Sequence, residues 1–450
     1  MLKLSARFEK VLKYGLAALV LTIPLYPKFP FLRIPGTYVA IRLEDFLLAF
    51  LSLFFLVAFW PKLKQLWSLK LVRLIVLFLA IGLASLLSGI FLTQTVSPFL
   101  GTLHWLRRVE YFLPFFLALL YFSEFKTRDL EFFLKLGLII IPVLFIYGYG
   151  QKYFTWPVII TQNEEYAKGI ALRWVPGSHI NATFAGHYDL ASFLVLVLPF
   201  FNALFFSLKK WKPKILILGV IFAGLWLLAN AVSRISIVAY LAAVGLTFAF
   251  LKKYRAGLIT LLATLVIFSF SGALGARFAN LTKIFGFRPA AVVVAAKETV
   301  EVSPSPAASA APVPVVEDRS TSIRLKVEWP RAIRAWAKNP LLGTGYSSLS
   351  LATDNDFLRL LGEAGILGLA AFVLLLFNLG RYVKKAVGLV SGRSDLKAVF
   401  LVSYAGALFG VLLNSFFIDI FEASKFAIIF WFFTGMFVSM VNLNKNEKTN

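Results

Sequence analysis

Long apolar runs alternate with short basic segments along the whole chain. A run of about 17 to 25 apolar residues is long enough for a helix to cross the hydrocarbon core of a bilayer. We therefore expect an all-α integral membrane protein with about twelve transmembrane helices. Their approximate bounds are 11–27, 43–60, 72–92, 105–122, 133–151, 186–207, 214–230, 235–251, 256–272, 356–379, 397–416 and 425–443.

The lysines and arginines between these runs predict an orientation. Cytoplasmic loops of membrane proteins carry an excess of cations. With the N-terminus inside, the inner segments hold clusters such as Lys209–Lys214 and Arg381–Lys385, whereas the short outer loops hold few cations. We therefore predict a multi-pass protein of the plasma membrane with both termini in the cytoplasm. The first apolar run has no small-residue cleavage site after it, so we interpret it as a retained helix.

The same pattern predicts three regions. Residues 1–272 hold helices one to nine, residues 273–355 form a long extracytoplasmic loop, and residues 356–450 hold helices ten to twelve. Within the loop, 289–318 is a low-complexity stretch rich in Ala, Val and Pro, which predicts extended chain without chemistry. The stretch that follows, 320–338, predicts an amphipathic helix.

Cations occupy one face of this predicted helix. At 100° per residue, Arg324, Arg331 and Arg334 share one side, and Trp329 and Trp336 share another. Arginine suits bidentate binding of phosphate, which makes a phosphate-bearing substrate one interpretation. The alternative is that the helix only anchors at lipid headgroups.

Composition excludes several classes of function. Hydrophobic residues make up 59% of the chain, which includes 47 Phe, and this exceeds what a soluble core would bury. The net charge of +24 is spread between apolar runs, so it indicates contact with the bilayer and no nucleic-acid partner. The chain has no cysteine and only three histidines, His104, His179 and His187, outside any metal-binding motif. We therefore predict no metal and no cofactor.

Charged residues inside or beside apolar runs indicate where a site lies. Such residues are costly in a bilayer and are generally functional or paired. On the predicted topology they all fall near the outer membrane face, which favours one convergent polar site there. They are Arg107, Arg108, Glu110, Asp189, Arg234, Arg359 and Glu363. The alternative for the last two residues is a simple i, i+4 ion pair within one helix.

Three separated stretches resemble the O-antigen ligase/polymerase family. They are Asn181-Ala-Thr-Phe-Ala-Gly-His-Tyr-Asp-Leu-Ala191, Ser233-Arg234, and a loop block of Asn339-Pro-Leu-Leu-Gly-Thr-Gly345, Asp354-Asn-Asp-Phe-Leu and Gly362-Glu-Ala-Gly-Ile-Leu-Gly368. The resemblance implies a bacterial membrane glycosyltransferase that takes a glycan from undecaprenyl pyrophosphate on the outer face of the membrane, without a metal. A polymerase of this kind moves the glycan to another glycan repeat, and a ligase moves it to a lipid or protein acceptor.

The resemblance also implies roles for individual residues. Arg234 and Arg324 match arginines that are associated with the pyrophosphate. Asp354 stands where ligases of the family carry the histidine that is proposed as general base. We therefore predict Asp354 as base or acceptor-positioning residue, with Asp356 or Glu363 as alternative bases. The alternative role of Asp354 or Asn355 is that of N-cap of the tenth helix. The predicted substrate-binding residues are Arg331, Arg334, Asn355, His187, Arg359 and Glu363.

Other functions remain as alternatives. A transporter or flippase of an anionic lipid-linked substrate would also use a basic outer face, but the two halves of the chain show no convincing repeat. A relative that polymerises peptidoglycan strands is less consistent with the Asp-Asn-Asp-Phe-Leu block. Because Asp354 stands where ligases of the family carry a histidine, the sequence supports a lipid A ligase less well than a polymerase or a ligase for another acceptor.

Overall fold

The computed structural model describes residues 6–34, 40–60, 63–124, 127–159, 171–269, 322–350, 352–390 and 393–446. The α-helices in these ranges are α1 Ala6–Leu25, α2 Leu43–Phe59, α3 Leu63–Trp67, α4 Lys70–Phe91, α5 Pro98–Tyr121, α6 Thr127–Tyr153, α7 His187–Ser207, α8 Trp211–Ala231, α9 Arg234–Phe250, α10 Tyr254–Ser269, α11 Trp329–Lys338, α12 Asp356–Val390, α13 Leu396–Ser415 and α14 Ser424–Asn446. Strands β1 Leu32–Arg33 and β2 Ala40–Ile41 form one antiparallel pair, and β3 Val158–Ile159 and β4 Ala171–Leu172 form another. Within these ranges the fold is therefore helical apart from two very short strand pairs.

Each predicted apolar run coincides with a helix of the described part. Seven helices there are long and apolar enough to cross a bilayer, which makes the chain a multi-pass, all-α membrane protein. They are Lys70–Phe91, Asp129–Tyr153, His187–Ser207, Trp211–Ala231, Asp356–Val390, Leu396–Ser415 and Ser424–Asn442. The total of twelve spans stays a prediction, and the low-complexity stretch 289–318 lies outside the described residues.

Helices α7, α13 and α14 form the centre of the bundle. The apolar parts of α7 and α13 are 72% buried and that of α14 is 94% buried, against 39% for α4 and for α6. Helices that are hydrophobic on all sides can be buried in this way or face lipid. Helix α13 approaches α9 closely, because a Cβ on Gly406 or Gly410 would lie 2.5 and 2.6 Å from the carbonyl oxygens of Ala243 and Ala239.

A break divides α12 into a short first part and a long second part. Gly365 has φ 65° and ψ −169°, a conformation that is essentially restricted to glycine. The turn 339–345 fills the break, since the Ile366 amide donates to the Pro340 carbonyl at 2.9 Å. A Cβ on Gly365 would lie 2.3 Å from the Leu341 oxygen. The glycine-rich blocks 339–345 and 362–368 therefore interlock, in the sense that their backbones are in direct contact.

Four helix ends meet at one end of the bundle. The Asn414 side-chain amide, near the end of α13, donates to Ser192 of α7 at 3.1 Å and to Ser236 of α9 at 3.2 Å. The Asn355 side-chain amide, just before α12, donates to the Phe416 carbonyl at 3.0 Å. The starts of α7, α9 and α12 and the end of α13 therefore lie together, and we call this region the converging end.

Candidate functional site

Arg324 and Asp354 form an ion pair at the converging end. The guanidinium donates from Nε at 3.0 Å and from Nη2 at 2.8 Å to Oδ2 of Asp354, and Nη2 lies 3.4 Å from the Tyr188 hydroxyl. The side chains are only 13% and 20% exposed. Burial alone lowers the pKa of Arg324, but the Asp354 carboxylate outweighs burial and raises it. Burial raises the pKa of Asp354, and the charge of Arg324 opposes that rise.

The predicted amphipathic helix consists of two parts in the described residues. Arg324–Glu328 is a π-helical turn, and it leads directly into α11. Arg331 of α11 donates to the Ala352 carbonyl at 2.5 Å, so Arg324 and Arg331 both face the short segment 352–354. Arg334 is exposed. The structure therefore brings two of the three predicted arginines to the segment that precedes α12.

Glu328 is a further member of this site that sequence reasoning missed. Burial raises its pKa to about 7, and the negative charges of Asp354 and Asp419 add to the rise, while Arg324 and Arg331 oppose it. A glutamate within an amphipathic helix is generally expected to be solvated, so no pattern in the sequence singled it out. The π-helical turn is the structural signal, because such turns occur frequently at functional sites.

A buried network surrounds Arg359, and we define the Arg359 network as Arg108, Arg359, Glu363, Asp419 and Glu422. Arg359 contacts Asp419 at 3.1 Å, Glu422 at 3.1 Å and Glu363 at 3.6 Å. Arg108 pairs with Glu422 and lies 3.9 Å from Glu363. The i, i+4 pair of Arg359 and Glu363 exists, but it is one contact in a larger network that links α5, α12 and the segment before α14.

Asp419 fixes the backbone of the segment before α12. Its Oδ2 accepts from the Thr353 amide at 2.7 Å, and its Oδ1 accepts from the Asn355 amide at 2.8 Å. The side chain of Asn355 in turn accepts from the Leu358 amide at 2.9 Å, so Asn355 is the N-cap of α12. Asp354, the residue before this cap, has a φ of 50°, and its carboxylate is directed to Arg324.

The two alternative bases are both held by other groups. The carboxylate of Asp356 accepts from the amides of Ile420 and Phe421 at 3.0 and 3.1 Å. Glu363 is only 2% exposed and lies beside Arg359. These contacts give both residues structural roles. Asp356 ties α12 to the turn before α14, and Glu363 lies beside Arg108 of α5 and Arg359 of α12.

Arg234 and His187 are each the first residue of a helix at the converging end. Arg234 begins α9 and is half-buried, next to the N-cap Ser233. His187 begins α7, and the centre of its ring lies 3.6 Å from that of His179. The next residue, Tyr188, is the one that contacts Arg324. The described structure thus places Arg234 and His187 at the same end as the Arg324–Asp354 pair.

Asp189 belongs to a second buried cluster, together with Lys28, Arg42, Glu44 and Lys425. All five residues are at most 6% exposed. Burial lowers the pKa of Lys28 to about 7, and the nearby charge of Arg42 lowers it further. Neither Lys28 nor Arg42 was predicted as a site residue, because nothing local in the sequence shows that a loop cation is buried.

Comparison with known proteins gives one family. A family model described as O-antigen ligase matches residues 218–373. The matched range includes Arg234, Arg324, Arg331 and the Asp354–Glu363 segment. No curated protein matches the chain. The family match confirms the resemblance that the sequence motifs predicted.

Proposed function

We propose that this chain, which the match over 218–373 assigns to the O-antigen ligase/polymerase family, transfers a glycan from an undecaprenyl-pyrophosphate carrier at the outer face of the bacterial plasma membrane. The acceptor is another glycan repeat, as in a polymerase, or a lipid or protein, as in a ligase. The observation that carries the proposal is the placement of Arg324 and Arg331 against segment 352–354, within the matched range and at the converging end.

The chemistry requires cations at the leaving group. When the bond between the anomeric carbon and the phosphate oxygen breaks, negative charge grows on the pyrophosphate, and preorganised cations stabilise that charge. Arg234 and Arg324 are the residues that we assign to it, with Arg331 and Arg334 as helpers. Because both hydrogen bonds from Arg324 go to one oxygen of Asp354, this aspartate suits the role of a positioning residue.

No metal is needed in this mechanism. Within the described ranges, no three carboxylate or imidazole side chains are placed to hold a metal ion. The guanidinium groups supply positive charge and bidentate geometry for phosphate oxygens. Transfer by the purified protein should therefore continue when EDTA is present.

Reconstitution tests the proposal directly. The purified protein is placed in vesicles with lipid-linked glycans extracted from cells that lack this protein, and released undecaprenyl pyrophosphate and lengthened glycan are measured. Arg234→Ala and Arg324→Ala should each lower release by at least about 100-fold, the range found when a group that stabilises transition-state charge is removed. Arg393→Ala is the matched control, because that side chain is 62% exposed and pairs only at the surface with Asp395.

Two results would contradict the proposal. Full activity in both arginine variants would remove the assignment of the pyrophosphate site. Movement of intact lipid-linked glycan across the vesicle membrane, without release of undecaprenyl pyrophosphate, would show a flippase instead.

A further inference from the structure

Four of the unsatisfied buried polar atoms of the described residues lie on two facing segments of the site. Oε2 of Glu328, Nε1 of Trp329, Nε of Arg331 and Oγ1 of Thr353 are buried and have no hydrogen-bond partner among the described residues. The contact from Arg331 to the Ala352 carbonyl holds the two segments against each other. Since buried polar groups in folded proteins are nearly always paired, this is where a polar substrate would supply the missing partners.

Among these four side chains, only Glu328 carries a carboxylate that can take up a proton. The charged groups around it are Asp354 and Asp419, which are negative, and Arg324 and Arg331, which are positive. Burial, with the two carboxylates, brings the pKa of Glu328 to about 7. A general base works best with a pKa near the working pH, so this group is poised at neutral pH.

The other carboxylates near the site each face a cation or backbone amides of the protein. Asp354 accepts two hydrogen bonds from Arg324, and Asp356 accepts from the backbone amides before α14. Glu363 lies between Arg359 and Arg108. The contacts of these carboxylates direct them to cations and backbone amides of the protein, so they are not aimed at the unpaired polar atoms around Glu328.

We propose that Glu328 is the general base of the transfer reaction, an inference that rests on the proposed function. The acceptor hydroxyl oxygen bonds to the anomeric carbon, and its proton passes to the Glu328 carboxylate. The bond from that carbon to the phosphate oxygen breaks, and its electron pair leaves with the pyrophosphate. Asp354 then acts as a positioning residue that orients Arg324, and the proton on Glu328 returns to solvent after the glycosylated acceptor leaves.

Glu328→Gln tests the inference in the reconstituted system. Transfer should fall about 100-fold to 10,000-fold, the usual contribution of a positioned base, while binding of undecaprenyl pyrophosphate alone stays within about twofold of wild type. Glu328→Asp keeps a carboxylate on a shorter side chain and should recover part of the lost rate. Glu131→Gln is the matched control, because Glu131 is 52% exposed and pairs with Lys135 on the surface of α6.

The pH profile separates a base from a structural residue. Wild-type turnover should fall about tenfold for each pH unit below about 7, since protonated Glu328 cannot accept a proton. Glu328→Gln should lose this acid limb and keep the thermal midpoint of wild type. A Glu328→Gln enzyme with more than about a third of the wild-type rate would overturn the inference. The inference would also fail if the acid limb persists in Glu328→Gln and vanishes in Asp354→Asn. Absence of turnover by wild type would instead count against the proposed function.

Discussion

Asp419 is the residue whose removal should most clearly show how the site is held. It accepts three hydrogen bonds, from the Thr353 amide, from the Asn355 amide and from Arg359, and its side chain is 10% exposed. Asp419→Asn has nearly the same shape, but it replaces one carboxylate oxygen by an amide nitrogen. That nitrogen is a donor, and it opposes the fewest donors at the Oδ1 position, where it would face the Asn355 amide.

The structure allows the cost to be worked out. The bond from the Asn355 amide is lost, and the bond from the Thr353 amide keeps only a neutral acceptor. A hydrogen bond that involves a charge contributes roughly 1.5–3 kcal/mol and a neutral one roughly 0.5–1.5 kcal/mol, so the loss is about 2–5 kcal/mol. Breaking a buried ion pair by removal of one partner costs a similar amount, about 3–5 kcal/mol. Because Glu422 still faces Arg359, we expect the lower end, about 3 kcal/mol.

The assay is the free energy of unfolding in mixed micelles, with transfer activity measured in parallel. Asp395→Asn is the matched control, since Asp395 also accepts from a backbone amide and from an arginine but is 46% exposed. Asparagine caps a helix as well as aspartate does, so that variant should lose less than about 1 kcal/mol. Equal loss of stability in the two variants would refute the claim that the Arg359 network holds the segment before α12.

Two further predictions concern the loop and the break in α12. Gly365→Ala should cost at least about 1–3 kcal/mol in the free energy of unfolding, because alanine does not tolerate the backbone conformation there and its Cβ would meet Leu341. Gly380→Ala, where nothing lies within 4 Å, should be neutral or stabilising, and equal effects would contradict the interlock. A tag placed within 290–316 should be labelled from outside intact cells, and labelling only after lysis would reverse the predicted topology.

The sequence predicted the helices well because lipid imposes a simple rule on them. A span must be apolar and of sufficient length, so hydropathy locates it without knowledge of its neighbours. Helix ends outside the bilayer follow other rules. Helix α5 begins at Pro98, earlier than the predicted 105, and α12 continues to Val390, past the predicted 379. Polar residues there interrupt the hydropathy but not the helix.

The site was predictable only where its signal is local. The capping role of Asn355 was an alternative that the sequence offered, and the basic face of 324–338 was visible from its spacing. Asp419 gave no such signal, since it lies 60 or more positions from the residues that it contacts. The break at Gly365 was equally hidden, because its cause is a backbone contact with the turn 339–345. Long-range contacts of this kind leave no periodic pattern in a single sequence.

The polar groups at the converging end differ in how fully the protein satisfies them. Asp419 and Arg359 have their charges matched by several partners in the described structure, and such groups hold backbone in place. Glu328 and Arg331 each keep a buried atom without a hydrogen-bond partner among the described residues. Such an unpaired atom lowers the stability of the folded protein. Changes in the first group should therefore lower stability, and activity with it. Changes in the second group should lower turnover while stability stays the same or rises, because a buried group that only a substrate can satisfy is removed.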